Sequence, residues 1–201
     1  MASPVALHLA LDPDADGLLS RDPFALLVGM LLDQQFPMER AFAGPYILAQ
    51  RLGTPDRLDP AEVAAHDPAD FAAIMSKPPA VHRFPGSMAG RVQALADAVA
   101  TRYGGDAATL WTTAESGREL RDRLQALPGF GEQKAKIFVA LLGKQMGVEP
   151  PGWREAAGPY GEDGSRRSVA DVVDAGTLAQ VRSYKQEQKR AAKARADAPG
   201  G

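Results

Sequence analysis

Leu127-Pro128-Gly129-Phe130-Gly131-Glu132-Gln133-Lys134-Ala135 is the stretch whose reading decides the fold. Two glycines flank one apolar residue, and amphipathic sequence runs on both sides. Upstream, Arg118 to Ala126 presents Leu120 and Leu124 on one face; downstream, Glu132 to Met146 places Ala135, Phe138, Val139 and Leu142 at i, i+3, i+4, i+7. The spacing predicts two helices joined by a tight turn. Glycine admits positive φ, so successive N–H groups can point out of such a turn. Together with the N-terminus of the following helix, these amides suit a phosphate oxygen. Phe130 is expected to turn inward and pin the helices, with Lys134 and Lys136 reaching towards a neighbouring phosphate. The alternative is an ordinary helix corner in which the glycines serve only close packing.

Outward from this turn, helical patterns dominate. Asp22-Pro23 reads as an N-cap with proline in the first helical position, and Phe24, Leu27, Val28, Leu31 and Leu32 follow at helical spacing. Pro37 ends that helix just after Gln34-Gln35-Phe36. Met38 to Leu52 reads as a second helix interrupted at Gly44-Pro45, Asp67-Pro68 opens a further piece, and Ser87 to Tyr103 is a long amphipathic helix. Val5 to Leu11 reads as a short strand or arm, and Asp12 to Leu19 as a polar connection. Gly147 to Arg167, with three prolines and five glycines in 21 residues, reads as a long loop. The fold class expected is all-α, two-lobed, with little or no sheet. Residues 1–184 form the helical domain, with the hairpin at 118–146 and the long loop at 147–167. Residues 185–201 form a basic tail without fixed structure.

Composition excludes several functions. Cysteine is absent, which removes disulfides, thiolate zinc sites, a cysteine nucleophile and an all-cysteine iron–sulfur cluster. The three histidines, His8, His66 and His82, include no pair at helical ligand spacing, so no metal site is expected. No apolar run reaches the roughly 18 residues of a membrane span, and no secretory leader pattern opens the chain; the expectation is a monomeric cytoplasmic protein. The net charge of −2 conceals an asymmetry: residues 1–75 carry net −7, and residues 76–201 net +5. A polyanionic partner responds to that distribution rather than to the sum.

Leu127-Pro-Gly-Phe-Gly131 followed by Glu-Gln-Lys-Ala resembles the helix–hairpin–helix of the HhH-GPD superfamily of DNA glycosylases. The helix from Pro23 to Gln35 resembles that superfamily's early helix, which ends in a glutamine-containing turn, and residues 20–147 carry most of the likeness. The resemblance implies double-stranded DNA held between two lobes, a damaged base flipped into a pocket, and hydrolysis of its N-glycosidic bond in base excision repair. It implies that Gly129, Phe130 and Gly131 anchor a phosphate, with room for a monovalent cation at the hairpin. It also implies that the turn holding Gln34 and Gln35 enters the space left by the flipped nucleotide, Gln34 being the better match.

The same likeness implies an aspartate at a helix start beyond the hairpin, stabilising the oxocarbenium-like sugar. At the usual spacing this chain has Trp153. The nearest match is Asp171 in Ser168-Val-Ala-Asp171, 38 residues past Gln133, with the Gly/Pro-rich stretch looped out. Asp163, Glu149 and Asp174 are weaker matches. Bifunctional relatives carry a Schiff-base lysine where this chain has Gln133. Lys134 is one residue on, about 100° around the helix, so a monofunctional enzyme without lyase chemistry is expected. A non-catalytic protein that binds DNA or recognises damage through the same hairpin is the alternative. Trp111, Trp153 and Tyr160 are possible base-stacking aromatics.

Overall fold

The computed structural model describes residues 6–196, which are all-helical without a strand. The helices are α1 (Pro13–Arg21), α2 (Pro23–Leu32), α3 (Met38–Arg51), α4 (Pro60–Ala65), α5 (Pro68–Ser76), α6 (Pro85–Arg102), α7 (Thr109–Thr112), α8 (Gly117–Gln125), α9 (Glu132–Met146), α10 (Trp153–Ala157) and α11 (Ala175–Ala196). Short 3-10 turns lie at Gly158–Tyr160 and Val169–Asp171.

Four helices open with one device, an aspartate N-cap followed by proline: Asp12-Pro13, Asp22-Pro23, Asp59-Pro60 and Asp67-Pro68. Each carboxylate accepts N–H groups of the first turn, an arrangement that stabilises a helix by about 1 kcal/mol. The first of these corrects the expected polar connection at 12–19, which is α1. Its polar residue Asp16 faces inward rather than out. The Asp16 Oδ1 accepts the N–H groups of Leu9 and Ala10 at 2.9 and 2.8 Å, so the segment before it is an arm tied to α1 and not a strand. Val5 lies outside the described residues.

Helices α1 to α6 pack on one another, and α7 to α10 form a second group around α9. One continuous apolar core runs through both. The α2 helix is buried from Phe24 to Leu32, and the chain becomes partly exposed only at Pro23 before that run and at Asp33 after it. The α3 helix passes through Gly44 and Pro45 without the expected break. A side chain at Gly44 would meet Leu32 Cδ1 at 2.7 Å, so close packing against α2 holds the backbone through the proline.

Two further expectations are corrected. The stretch 147–167 is not a structureless loop, because α10 folds within it. The Trp153 ring occupies the place where a side chain on Gly143 would stand, 2.4 Å from Cζ3, and so docks the insertion onto α9. The basic segment after Tyr184 is helical to Ala196 as part of α11; residues 197–201 lie outside the described residues. Buried Leu178 and Val181 root α11 in the core, and Arg182 pairs with Glu39 of α3. A helix rooted this way propagates along a sequence that would not fold by itself.

Candidate nucleic-acid interface

The turn between α8 and α9 is tight. Gly129 has φ +80°, and the Phe130 N–H donates to the Leu127 carbonyl at 3.1 Å. Phe130 is buried edge-on against Phe138, with ring centroids 6.1 Å apart, as expected of a pin between helices. Gly131 is the N-cap of α9, and no side chain caps that end. The two glycines differ in purpose. A side chain at Gly129 would meet Leu31 Cδ1 at 2.3 Å, so Gly129 lets the turn close on α2. A side chain at Gly131 would meet nothing within 4 Å, so the space in front of the uncapped amides is open. Among the described residues no group of three or more histidine or acidic side chains is placed to hold a metal ion.

Neither lysine lies where the sequence suggests. Lys136 pairs with Glu132 one turn back, at 2.6 Å. Lys134 turns away from the hairpin, and its Nζ donates to the carbonyls of Met30 (2.5 Å), Leu31 (3.3 Å) and Asp33 (3.4 Å). It caps the C-terminus of α2, where a cation complements the helix dipole. Burial pushes its pKa down to about 8, with the nearby Asp33 carboxylate opposing the shift.

The turn after α2 also assigns its glutamines differently from expectation. The Gln34 side chain is tied down, donating from Nε2 to the Leu31 carbonyl at 2.7 Å and accepting from Arg91 at 3.1 Å. Its carbonyl accepts from His82 Nε2 at 3.0 Å. Gln35 is the exposed residue, with φ +52°, a conformation that non-glycine residues rarely hold and that concentrates at functional sites. The free side chain at the tip of this turn is therefore Gln35.

The end of α2 and the start of α9 meet at one cleft of about 690 Å³, which neither Gly129–Gly131 nor Gln35 lines. Asp33 and Gln34 enter it from the end of α2, and Gln133 and Lys134 from the start of α9. Tyr160 stands opposite, accepting from Gln133 Nε2 at 2.9 Å. The fourth wall is a helical stripe of α11, Tyr184, Lys185, Gln188 and Lys189, which explains why the basic segment is periodic rather than merely charged. Arg167 completes the lining. Trp111 and Trp153 are both buried in the core, which leaves tyrosines as the aromatics of the cleft.

Searches of known protein families, characterised proteins and solved structures found no match.

Asp171, the carboxylate expected to perform the chemistry, does not line this cleft. Its side chain is 3% exposed and paired with Lys144 at 2.7 Å. Ser165 Oγ donates to it, as do the N–H groups of Arg167 (2.9 Å) and Ser168 (3.2 Å), the latter within a capping box. Every lone pair is occupied, so this carboxylate holds the insertion onto α9 rather than facing a substrate. The weaker matches are also elsewhere: Asp163 pairs with Arg154 on the surface, Asp174 caps the start of α11, and Glu149 is exposed. The acid that does line the cleft is Asp33. Burial pushes its pKa up, while the Lys185 and Lys134 charges oppose that shift. One sequence signal points to it: an acid directly after a wholly apolar helix, at the end where the dipole disfavours negative charge.

Proposed function

We propose that this protein is a monofunctional DNA glycosylase that holds duplex DNA at the Gly129–Gly131 hairpin and hydrolyses the N-glycosidic bond of an extruded base. The observation that carries this is the meeting of the end of α2 with the start of α9, the helix that follows the glycine turn, at one cationic cleft that contains a carboxylate. The hairpin amides would anchor a phosphate without reading sequence. Gln35 would fill the gap left in the stack. In this reading Asp33, and not Asp171, stabilises the positive charge that develops on the sugar as the bond breaks. Imine chemistry is not expected of Lys134: its ammonium is held by three carbonyls and is mostly protonated at neutral pH. Borohydride should accordingly trap no covalent complex with an abasic duplex, and a trapped adduct on Lys134 would refute the monofunctional assignment.

One observation favours a second reading. The aspartate nearest to the glycosylase pattern is locked in a salt bridge, as in a protein that kept the fold for binding alone. A single-turnover excision assay over a panel of damaged-base duplexes separates the two. Excision by the wild type that is lost in Asp33→Asn supports the enzyme. No excision of any base, alongside hairpin-dependent duplex binding, supports the binding protein.

A further inference from the structure

The charge of the cleft limits which bases it could release. Four cationic side chains line it, Lys134, Arg167, Lys185 and Lys189, against the single lining carboxylate of Asp33; Arg167 is offset by its pair with Glu162 at 3.2 Å, which leaves the three lysines. Lys134 is not a mobile surface charge, because α2's terminal carbonyls hold its ammonium in place. Lys185 and Lys189 sit one turn apart on the same face of α11. Charges held beforehand act on a developing charge without reorganisation.

Two kinds of damaged base differ in the charge they carry. A ring-alkylated purine is a cation in the nucleotide and leaves as a neutral molecule. A cationic cleft repels that ground state and gains nothing as it departs. A neutral base with a lactam edge, such as a deaminated base, leaves with the bonding electron pair as an anion. Resting on the glycosylase reading above, we infer that the cleft takes neutral lactam bases, whose departure as anions Lys134 and the α11 lysines stabilise, and discriminates against cationic alkylated bases. The step balances: the C1′–N bond breaks with its pair going to the base, water adds to C1′ and loses a proton to solvent, and the base takes up a proton.

Duplexes containing uracil, hypoxanthine, 7-methylguanine or 3-methyladenine provide the test, under single-turnover conditions. Uracil or hypoxanthine should be released at least about 100-fold faster than either alkylated purine, the scale of one fixed electrostatic group. Lys185→Met, at an exposed position that does not endanger folding, should narrow that ratio several-fold; Lys134→Met should narrow it further. Faster release of the alkylated purines, or a ratio unmoved by both variants, overturns the inference while leaving the glycosylase reading intact. A second arm needs no catalysis: affinities are compared for duplexes carrying hypoxanthine or 7-methylguanine on a 2′-fluorinated sugar, whose fluorine disfavours the oxocarbenium ion and prevents release while the alkylated base keeps its positive charge. Tighter binding of the hypoxanthine duplex supports the base class even where no base is released, a result that would instead sink the hydrolytic reading. Equal or tighter binding of the 7-methylguanine duplex overturns the base class.

Discussion

Of the three lysines of α9, Lys134 and Lys144, one near each end, each face an aspartate. At the C-terminal end Lys144 and Asp171 close on each other at 2.7 Å, with Ser165 and two backbone amides completing the shell. At the N-terminal end Lys134 spends its hydrogen bonds on the carbonyls of α2, and Asp33 stands in the cleft without a salt-bridge partner among the described residues. The same residue types thus produce an anchor in one place and, in the other, a lysine held by backbone beside a carboxylate left open to the cleft. A closed, buried pair adds specificity of assembly and has no capacity left for a ligand. An open carboxylate retains its field for whatever enters, and perturbed titration in a cleft is the usual companion of such a site.

The comparison breaks most visibly at the closed end. Asp171→Ala leaves Lys144 charged in a site where its side chain is 14% exposed. Removing one member of a buried pair costs about 3–5 kcal/mol, which urea denaturation would register. A loss under about 1 kcal/mol would mean that the carboxylate is not an anchor. Asp33→Asn should behave in the opposite way. Stability should hold or rise, because burial opposes the charged form there, while single-turnover excision falls about 100-fold. If Asp171→Asn lowers the rate per folded molecule and Asp33→Asn does not, the assignment of the two ends is reversed.

The hairpin glycines sharpen the same distinction between holding and binding. Gly129→Ala should destabilise by about 1–3 kcal/mol, from positive φ and from the clash with Leu31. Gly131→Ala should leave the melting temperature unchanged and weaken duplex binding about tenfold, since its methyl group stands only in the open space before the α9 amides. Unchanged affinity in a folded Gly131→Ala protein would remove the hairpin from the interface.

The smallest effect concerns the glutamine turn. His82 Nε2 donates to the Gln34 carbonyl and Nδ1 accepts from the Phe84 N–H, so the ring is held neutral, and burial pushes its pKa below 6.5. The unfolded chain therefore binds the proton more readily. Stability from this group is complete above about pH 6.5 and declines as pH falls towards the folded-state pKa, by on the order of 1 kcal/mol or less. Denaturant titrations at several pH values, compared with His82→Gln, isolate that slope. Equal slopes in the two proteins would show that His82 does not hold the turn.

Much of the molecule was legible from spacing alone. The apolar period of 132–146, the Asp-Pro starts at 22 and 67, and the glycine turn at 129–131 each depend on residues within a few positions of one another, and the helices form where those patterns place them. The Asp12-Pro13 start carried the same signal, obscured by the polarity of a segment whose Asp16 turns inward to bind the arm. Tertiary structure decided the rest, because the deciding partners are remote in the chain. Asp171 meets Lys144 across 27 positions, and Lys134 meets Met30 across 104. Whether a carboxylate is an anchor or a free charge depends on how many donors reach it, and whether a lysine faces a phosphate or a helix end depends on which carbonyls lie nearest. Local sequence determined the helices and their turns; only their packing determined which aspartate was left facing the cleft, because hydrogen-bond saturation is a property of the assembled site and not of the residue.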